Sequence, residues 1–338
     1  MKIGILNKVT NPDIEKEAIN SNDEIEIECL NAHCEQELFS RNMSVYDAVI
    51  ISYKFKVSKN LIDLLINCKS IVCVCVGFDN VDYDYAATKG IKVFNVPDYG
   101  TNDVADHALA LFLSYSRRIL TYNSNIKSDP IKNWNPKLVR TYHRLTGMNF
   151  GIIGLGRIGT AVAFRAKALG MNVLFFDPYI PSGYDKTYQF KRCNDLYELF
   201  EQSNVISIHA PLTDETFHMI DQKCLEKARY QPIIINTSRG KIIDSSSICF
   251  ALKNSIIEAL LCDVLEQEPP AQDDELISLA NNSDYSDRII ITPHAASYAE
   301  ESQYEMRYKA AERAMKSLFD TGYITDCVNY KGGIKWRQ

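Results

Sequence analysis

The 338-residue chain is expected to fold as α/β, as two doubly wound parallel-sheet domains, one inserted into a second that is discontinuous in sequence. Three observations predict this. The length exceeds one ordinary compact domain. Short apolar runs alternate with helical stretches along most of the chain, as parallel sheets with crossover helices require. The last segment, after the second α/β unit, has helical periodicity and is expected to pack back on the first. The expected boundaries are residues 1–100 with 298–338 for one domain and residues 101–297 for the other.

The first unit reads "KIGIL", "YDAVIIS", the helical "KNLIDLLINC", "SIVCVCVG" and "GIKVFNV". A long helix follows, "TNDVADHALALFLSYSRRIL", in which Val104, Ala108, Leu111 and Phe112 share one face. Thr101 or Asn102 can cap its start, Asp103 and Asp106 suit the positive end, and Arg117 and Arg118 suit the other. The next stretch, "TYNSNIKSDPIKNWNPK", has two prolines and no period, so a loop is expected. Alternation resumes in "NFGIIG", "MNVLFFD", "YELFEQS", "VISIHA", "IIINTS", "ICFALKNS", "EALLCDV" and "RIIITPHA". "PPAQDDELISLANNSDYSDR" is a polar, acidic insertion, and "AEESQYEMRYKAAERAMKSLFDTG" is the closing helix.

Composition narrows the function classes. A net charge of −6 with scattered lysines and arginines excludes a nucleic-acid footprint, which needs a concentrated basic face. No apolar run approaches bilayer length, and "MKIGILNKVTNPD" lacks the apolar core and cleavage site of a secretory signal, so a cytoplasmic location without membrane association is expected. The ten cysteines are dispersed and form no CxxC, so reduced, partly buried thiols are expected, with no metal.

Residues 151–177, "GIIGLGRIGTAVAFRAKALGMNVLFFD", carry the strongest signal. Gly154, Gly156 and Gly159 lie between a strand and a helix, and Asp177 ends the next strand. Gly154 permits a tight turn, Gly156 lets the backbone approach a pyrophosphate, and Gly159 lets helix and strand pack closely. The helix start offers unpaired N–H groups to phosphate, and Asp177 an acceptor to ribose hydroxyls. This is the Rossmann fingerprint, and "PYIPSG" after Asp177 contains no cation for a 2′-phosphate, so NAD is favoured over NADP. Three later segments, "INTSRGKIID", "LCDVLEQEPP" and "ITPHAASYAEES", each end an expected strand and place Arg239, Asp263 with Glu268, and His294 at one crevice.

With these in order, the sequence resembles the NAD-dependent D-2-hydroxyacid dehydrogenases over nearly its whole length, from "VGFDNVD" and "NVPDYGTNDVADHALAL" to its end. "MNVLFFDPY", "TPHAASYAEES", "EMRYKAAERA" and "CVN" are most similar to the carboxy-terminal-binding-protein branch. The resemblance implies a flavodoxin-like substrate domain around the inserted Rossmann domain. Its implied chemistry interconverts a small D-2-hydroxy acid and its 2-keto acid. Arg239 would orient the substrate through its planar fork. His294 would act as general acid and base. Glu268, paired with it, would favour the imidazolium and fix the tautomer.

Further roles follow from the same resemblance. Asp263 matches the residue that meets the nicotinamide carboxamide, and "HAPLT" from His209, with Ala210 and Pro211, the loop flanking the adenine. Thr101, Arg157, Ile158 and Thr237 complete the implied cofactor contacts. The N–H groups of Val76 and Gly77 in "VCVGFDN" would hold the substrate carboxylate as an anion nest, with Lys54 nearby. His209 is expected in the core or the cofactor wall. The family also implies a homodimer, with the helix from Asn102 to Leu120 a plausible interface.

Two departures matter. Cys75 stands where many members have glycine, and Ser297 stands where the carboxy-terminal-binding branch often has tryptophan, so that branch's substrate preference does not transfer. Glu268 disfavours the formate dehydrogenases, which pair their histidine with glutamine. Two alternatives stay open: a 3-phosphoglycerate dehydrogenase-like enzyme using Lys54 and Lys56, and an NAD(H)-responsive dimeric interaction protein of corepressor type.

Overall fold

The computed structural model describes residues 1–7, 9, 11–19, 24–319 and 326–329. It divides into two compact units, Met1–Gly100 with Tyr298–Gln338, and Thr101–Ser297.

In the first unit, strands β1 (Lys2–Asn7), β2 (Glu26–Ala32), β3 (Ala48–Ile51), β4 (Ser70–Cys73) and β5 (Lys92–Phe94) form a parallel sheet in the order β2-β1-β3-β4-β5. That is the flavodoxin-like order. Every residue of β3 and β4 is buried because helices cover both faces, which is why these strands read as unbroken apolar runs. On one face the helix Glu300–Leu318 presents Ala310, Ala311 and Ala314, which sit with Ile3, Ile5, Ile50 and Val72. The closing segment thus packs on this unit, while its last residues, 320–322, lie outside the described residues.

Strand β2 was not among the apolar runs. It is an edge strand, and Ile25 and Ile27 alternate with Glu26 and Glu28, so only one side carries an apolar signal.

In the second unit, β6 (Asn149–Ile153), β7 (Asn172–Phe176), β8 (Lys191–Arg192), β9 (Val205–Ile208), β10 (Ile233–Asn236), β11 (Ala259–Cys262) and β12 (Ile289–Ile291) make a parallel sheet. Its order is β12-β11-β10-β9-β6-β7-β8. The chain starts in the middle, runs outward to β8, then returns to continue from β9 on the other side of β6. The loop after β6 therefore lies at the reversal of strand order, where open α/β sheets bind ligands.

Two expectations about the helix after residue 100 are corrected. It ends at Ser116 instead of Leu120, and a second helix, Ile119–Ser128, occupies part of the expected loop. The break is at Arg118, which has φ 54° and a side chain 5% exposed, with Nη2 3.3 Å from Glu258 Oε1 and the guanidinium over the Tyr115 ring. That cation is buried against Glu258, the residue before β11, where the backbone leaves the right-handed helical region. Neither proposed cap forms as written. Thr101 Oγ1 is buried without a partner, and Asn102 Oδ1 instead accepts from Arg165 Nη2 at 3.2 Å.

All ten cysteines are free, and seven are buried. Burial pushes the thiols of Cys68, Cys193, Cys249 and Cys262 up to about 12, so they stay protonated and behave as small apolar side chains. Among the described residues no helix is long and apolar enough to cross a membrane.

Candidate active and cofactor site

The glycine loop is shaped by contacts that exclude side chains. Gly154 follows β6 with φ +85°, and a Cβ there would lie 2.8 Å from the Ala210 nitrogen. A Cβ on Gly159 would lie 2.0 Å from the Gly154 oxygen. Gly156 directly precedes the helix Arg157–Ala168 in extended conformation. Arg157 is exposed at the helix start and Ile158 half-buried behind it, and the first-turn N–H groups have no partner within the helix.

Asp177, one residue past β7, closes the loop from the adjacent strand. Its Oδ2 accepts from the Leu155 N–H at 2.8 Å, and its Oδ1 from Tyr179 and Ile180 at 2.9 and 3.2 Å. Arg192 clamps the same turn by donating to the carbonyls of Asp177, Ile180 and Pro181 at 3.1, 3.1 and 2.9 Å. No cation follows Asp177 closely in sequence, and this one arrives fifteen residues later with donors turned to the backbone.

Ala210, buried, and Pro211, exposed, follow β9 beside this loop. The His209 ring bonds Ser207 Oγ at 2.8 Å, and burial pushes it down to about 3, so it is neutral. Thr101 and Thr237 each hold a buried hydroxyl with no partner. A loop in which a Cβ at Gly154 or Gly159 would strike backbone, an acid at the next strand end and two orphaned hydroxyls fit a dinucleotide cofactor.

The remaining residues stand at the ends of three neighbouring strands. Asn236, Cys262 and Ile291 are in register across β10, β11 and β12. Beyond β10, the turn carrying Arg239 is held from within: Asn236 Nδ2 donates to the Arg239 carbonyl at 3.0 Å and its Oδ1 accepts from Ser238 N at 3.0 Å. A Cβ at Gly240 would meet the Leu265 carbonyl at 2.0 Å, so "SRG" seats directly on the turn that leads to Glu268.

His294 follows β12 with φ 54°, a strained conformation for a residue with a Cβ. Its Nδ1 is 2.7 Å from Glu268 Oε2, while Glu268 Oε1 accepts from the Leu265 N–H at 3.1 Å. Burial pushes the Glu268 carboxyl up. The hydrogen bond and charge of His294, the Leu265 N–H and the charge of Arg239 outweigh it and hold the group below the usual carboxylate range. Glu268 is thus a carboxylate, an acceptor that faces Nδ1 of His294.

Asp263 is 1% exposed, and its oxygens are turned to the His294 loop. Oδ1 accepts from Ala295 N and Oδ2 from Ala296 N, both at 2.8 Å, and the Thr292 hydroxyl also reaches Oδ1. Thr292 and Asn236 support this site but gave no signal in the sequence, because neither type in an ordinary loop implies a role.

Lys54, Val76 and Gly77 belong to the first unit. Val76 and Gly77 form the turn after β4, with the Val76 carbonyl bonded by Asn95 Nδ2 and the Gly77 carbonyl by Cys75 Sγ. Lys54 lies over the Tyr53 ring.

Comparison with known proteins adds a family. Residues 109–296 match the profile described as "D-isomer specific 2-hydroxyacid dehydrogenase, NAD binding domain". A glyoxylate reductase of Korarchaeum cryptofilum is 37% identical over 238 residues, covering 70% of this chain and 69% of that protein. A D-3-phosphoglycerate dehydrogenase of Methanocaldococcus jannaschii is 34% identical over 92% of this chain, which spans only 57% of its length. A D-lactate dehydrogenase from Aquifex aeolicus, solved with NAD and lactic acid, superposes with a TM-score of 0.78 at 28% identity, covering 93% of this chain and 94% of that one.

Proposed function

The chain belongs to the D-isomer specific 2-hydroxyacid dehydrogenase family, with that family's NAD-binding domain, and from this premise we propose that it reduces a small 2-keto acid to the D-2-hydroxy acid and catalyses the reverse. The observation that carries the proposal is the 2.7 Å pair of His294 and Glu268 beside Arg239, at adjoining strand ends of the sheet that bears the glycine cradle.

The cradle of Gly154, Gly156 and Gly159, with Arg157, Ile158, Ala210 and Pro211 around it, would hold the pyrophosphate and adenosine portions, with Asp177 on the ribose. Thr101 and Thr237 would hold the nicotinamide end, with Asp263 behind them supporting the His294 loop. When bound, NAD(H) supplies or accepts the hydride. Arg239 presents a fixed cation to the keto-acid oxygens and disfavours other orientations. His294 delivers a proton from Nε2 to the carbonyl oxygen as charge develops there, and recovers one in the oxidation direction. Glu268 keeps Nδ1 protonated and stabilises the imidazolium that proton recovery creates. To Val76 and Gly77 in the first unit the reading assigns an anion nest for a carboxylate.

A small uncharged side chain on the substrate fits better than a phosphate. A cavity of about 510 Å³ in the first unit places Lys56 and Lys59 together with Asp79 and Asp82, so its charge is balanced. We further propose a homodimer. The helix Ile119–Ser128 buries none of its residues, and Ile119, Leu120, Ile131 and Trp134 are at least half exposed, an apolar surface suited to a second copy.

The test is a panel of glyoxylate, hydroxypyruvate, pyruvate and a phosphorylated keto acid with NADH and NADPH. NADH oxidation with an unphosphorylated substrate is expected. No turnover across the panel, with NADH shifting only the sedimentation-defined oligomeric state, would replace the enzyme by the interaction-protein reading.

A further inference from the structure

His107 lies on the helix Thr101–Ser116, which packs on β10 and β11. Its Nε2 is 2.9 Å from Thr292 Oγ1 and 3.7 Å from Asp263 Oδ1, and its side chain is 23% exposed. The directions of these bonds follow from counting protons. An ionised carboxylate only accepts, so the single hydroxyl proton of Thr292 goes to Asp263 Oδ1. The lone pairs of Thr292 are then what His107 meets, and its Nε2 must carry a proton and donate it.

Asp263 passes the constraint onward. Besides Thr292 it accepts from Ala295 N and Ala296 N, and its carbonyl accepts from His294 N at 2.8 Å. His294 needs such restraint, since its φ of 54° is not one its side chain favours. We propose that His107 is a positioning residue, holding through Thr292 and Asp263 the loop from which His294 projects. The proposal rests on the reading of His294 as proton donor. It adds a residue nearly two hundred positions away, on a different element, that never touches the substrate.

The experiment uses the full-length protein with NADH and whichever keto acid wild type turns over. His107→Leu and Thr292→Val are each expected to lower kcat about tenfold while NADH affinity and the keto-acid KM stay within about twofold, and the double variant to be no worse than either. His107→Gln places an amide donor where Nε2 lies and is expected to recover most of the rate, as is Thr292→Ser. Leu and Gln variants of equal thermal stability exclude a folding effect. Wild-type kcat in both His107→Leu and Thr292→Val, or a Gln variant no better than Leu, overturns the proposal. Absence of wild-type turnover would instead remove the reading of His294. The positioning claim would then be decided by the imidazole NMR resonances of His294, which must move in His107→Leu.

Discussion

Glu268 and His294 meet at 2.7 Å although one hangs from the turn after β11 and the other from the end of β12, and each is fixed independently. Leu265 N–H holds the carboxylate from one side, and Asp263 holds the histidine's backbone. The folded carboxyl sits below its ordinary value of 4.5, so the unfolded chain takes up this proton first as pH falls. The stabilisation is therefore complete above the ordinary carboxylate range and is lost as pH falls through the lower folded value. Urea unfolding from neutral pH into acid should show a wild-type advantage over Glu268→Gln that is constant near neutrality and shrinks toward the acid end.

His294→Ala should reduce kcat by about 10²- to 10⁴-fold, the usual contribution of a positioned acid or base. Arg239→Ala should lose rate comparably, with a raised keto-acid KM. NADH titration by fluorescence should be little changed in both, because neither side chain contributes to the glycine cradle. Loss of NADH binding in either variant would show that the residue serves the fold.

Much of this arrangement was legible in the chain itself. Gly154 and Gly159 announce themselves because a Cβ at either would strike backbone, and Asp177 because a strand delivers it to the same edge. The buried strands β3, β4, β9, β10 and β11 read as apolar runs because helices cover both of their faces. The illegible parts depend on long-range partners. The helix break at Arg118 depends on Glu258, 140 residues away, and the work of Thr292 depends on His107, 185 residues away. No local pattern encodes those pairings.

Burial holds His209 at about 3, so between its ordinary 6.5 and that value the unfolded state binds a proton that the folded state refuses. Stability should be unaffected above the ordinary value and should fall below it by up to about 1.4 kcal/mol per pH unit. His209→Gln retains a polar atom for Ser207 without the titration. Its stability between about pH 6 and pH 4 should decline less steeply than wild type. Parallel slopes would mean that water reaches the ring.

Arg118 and Glu258 form a pair whose side chains are 5% and 25% exposed, with Tyr115 Oη donating to the same carboxylate oxygen at 3.1 Å. Removing the acid strands a buried cation. Glu258→Ala should cost about 3 kcal/mol, toward the low end for broken buried pairs because Glu258 keeps some solvent. Arg118→Met combined with Glu258→Leu should recover much of this, measured as the midpoint of chemical denaturation.

Asp263 receives three donors from one short loop, two on one oxygen and one on the other. Asparagine has nearly the same shape but only one oxygen, so in either orientation its amide group would confront a hydrogen already pointing at it. The change that looks most conservative at this position would replace attraction with repulsion at the base of the histidine loop.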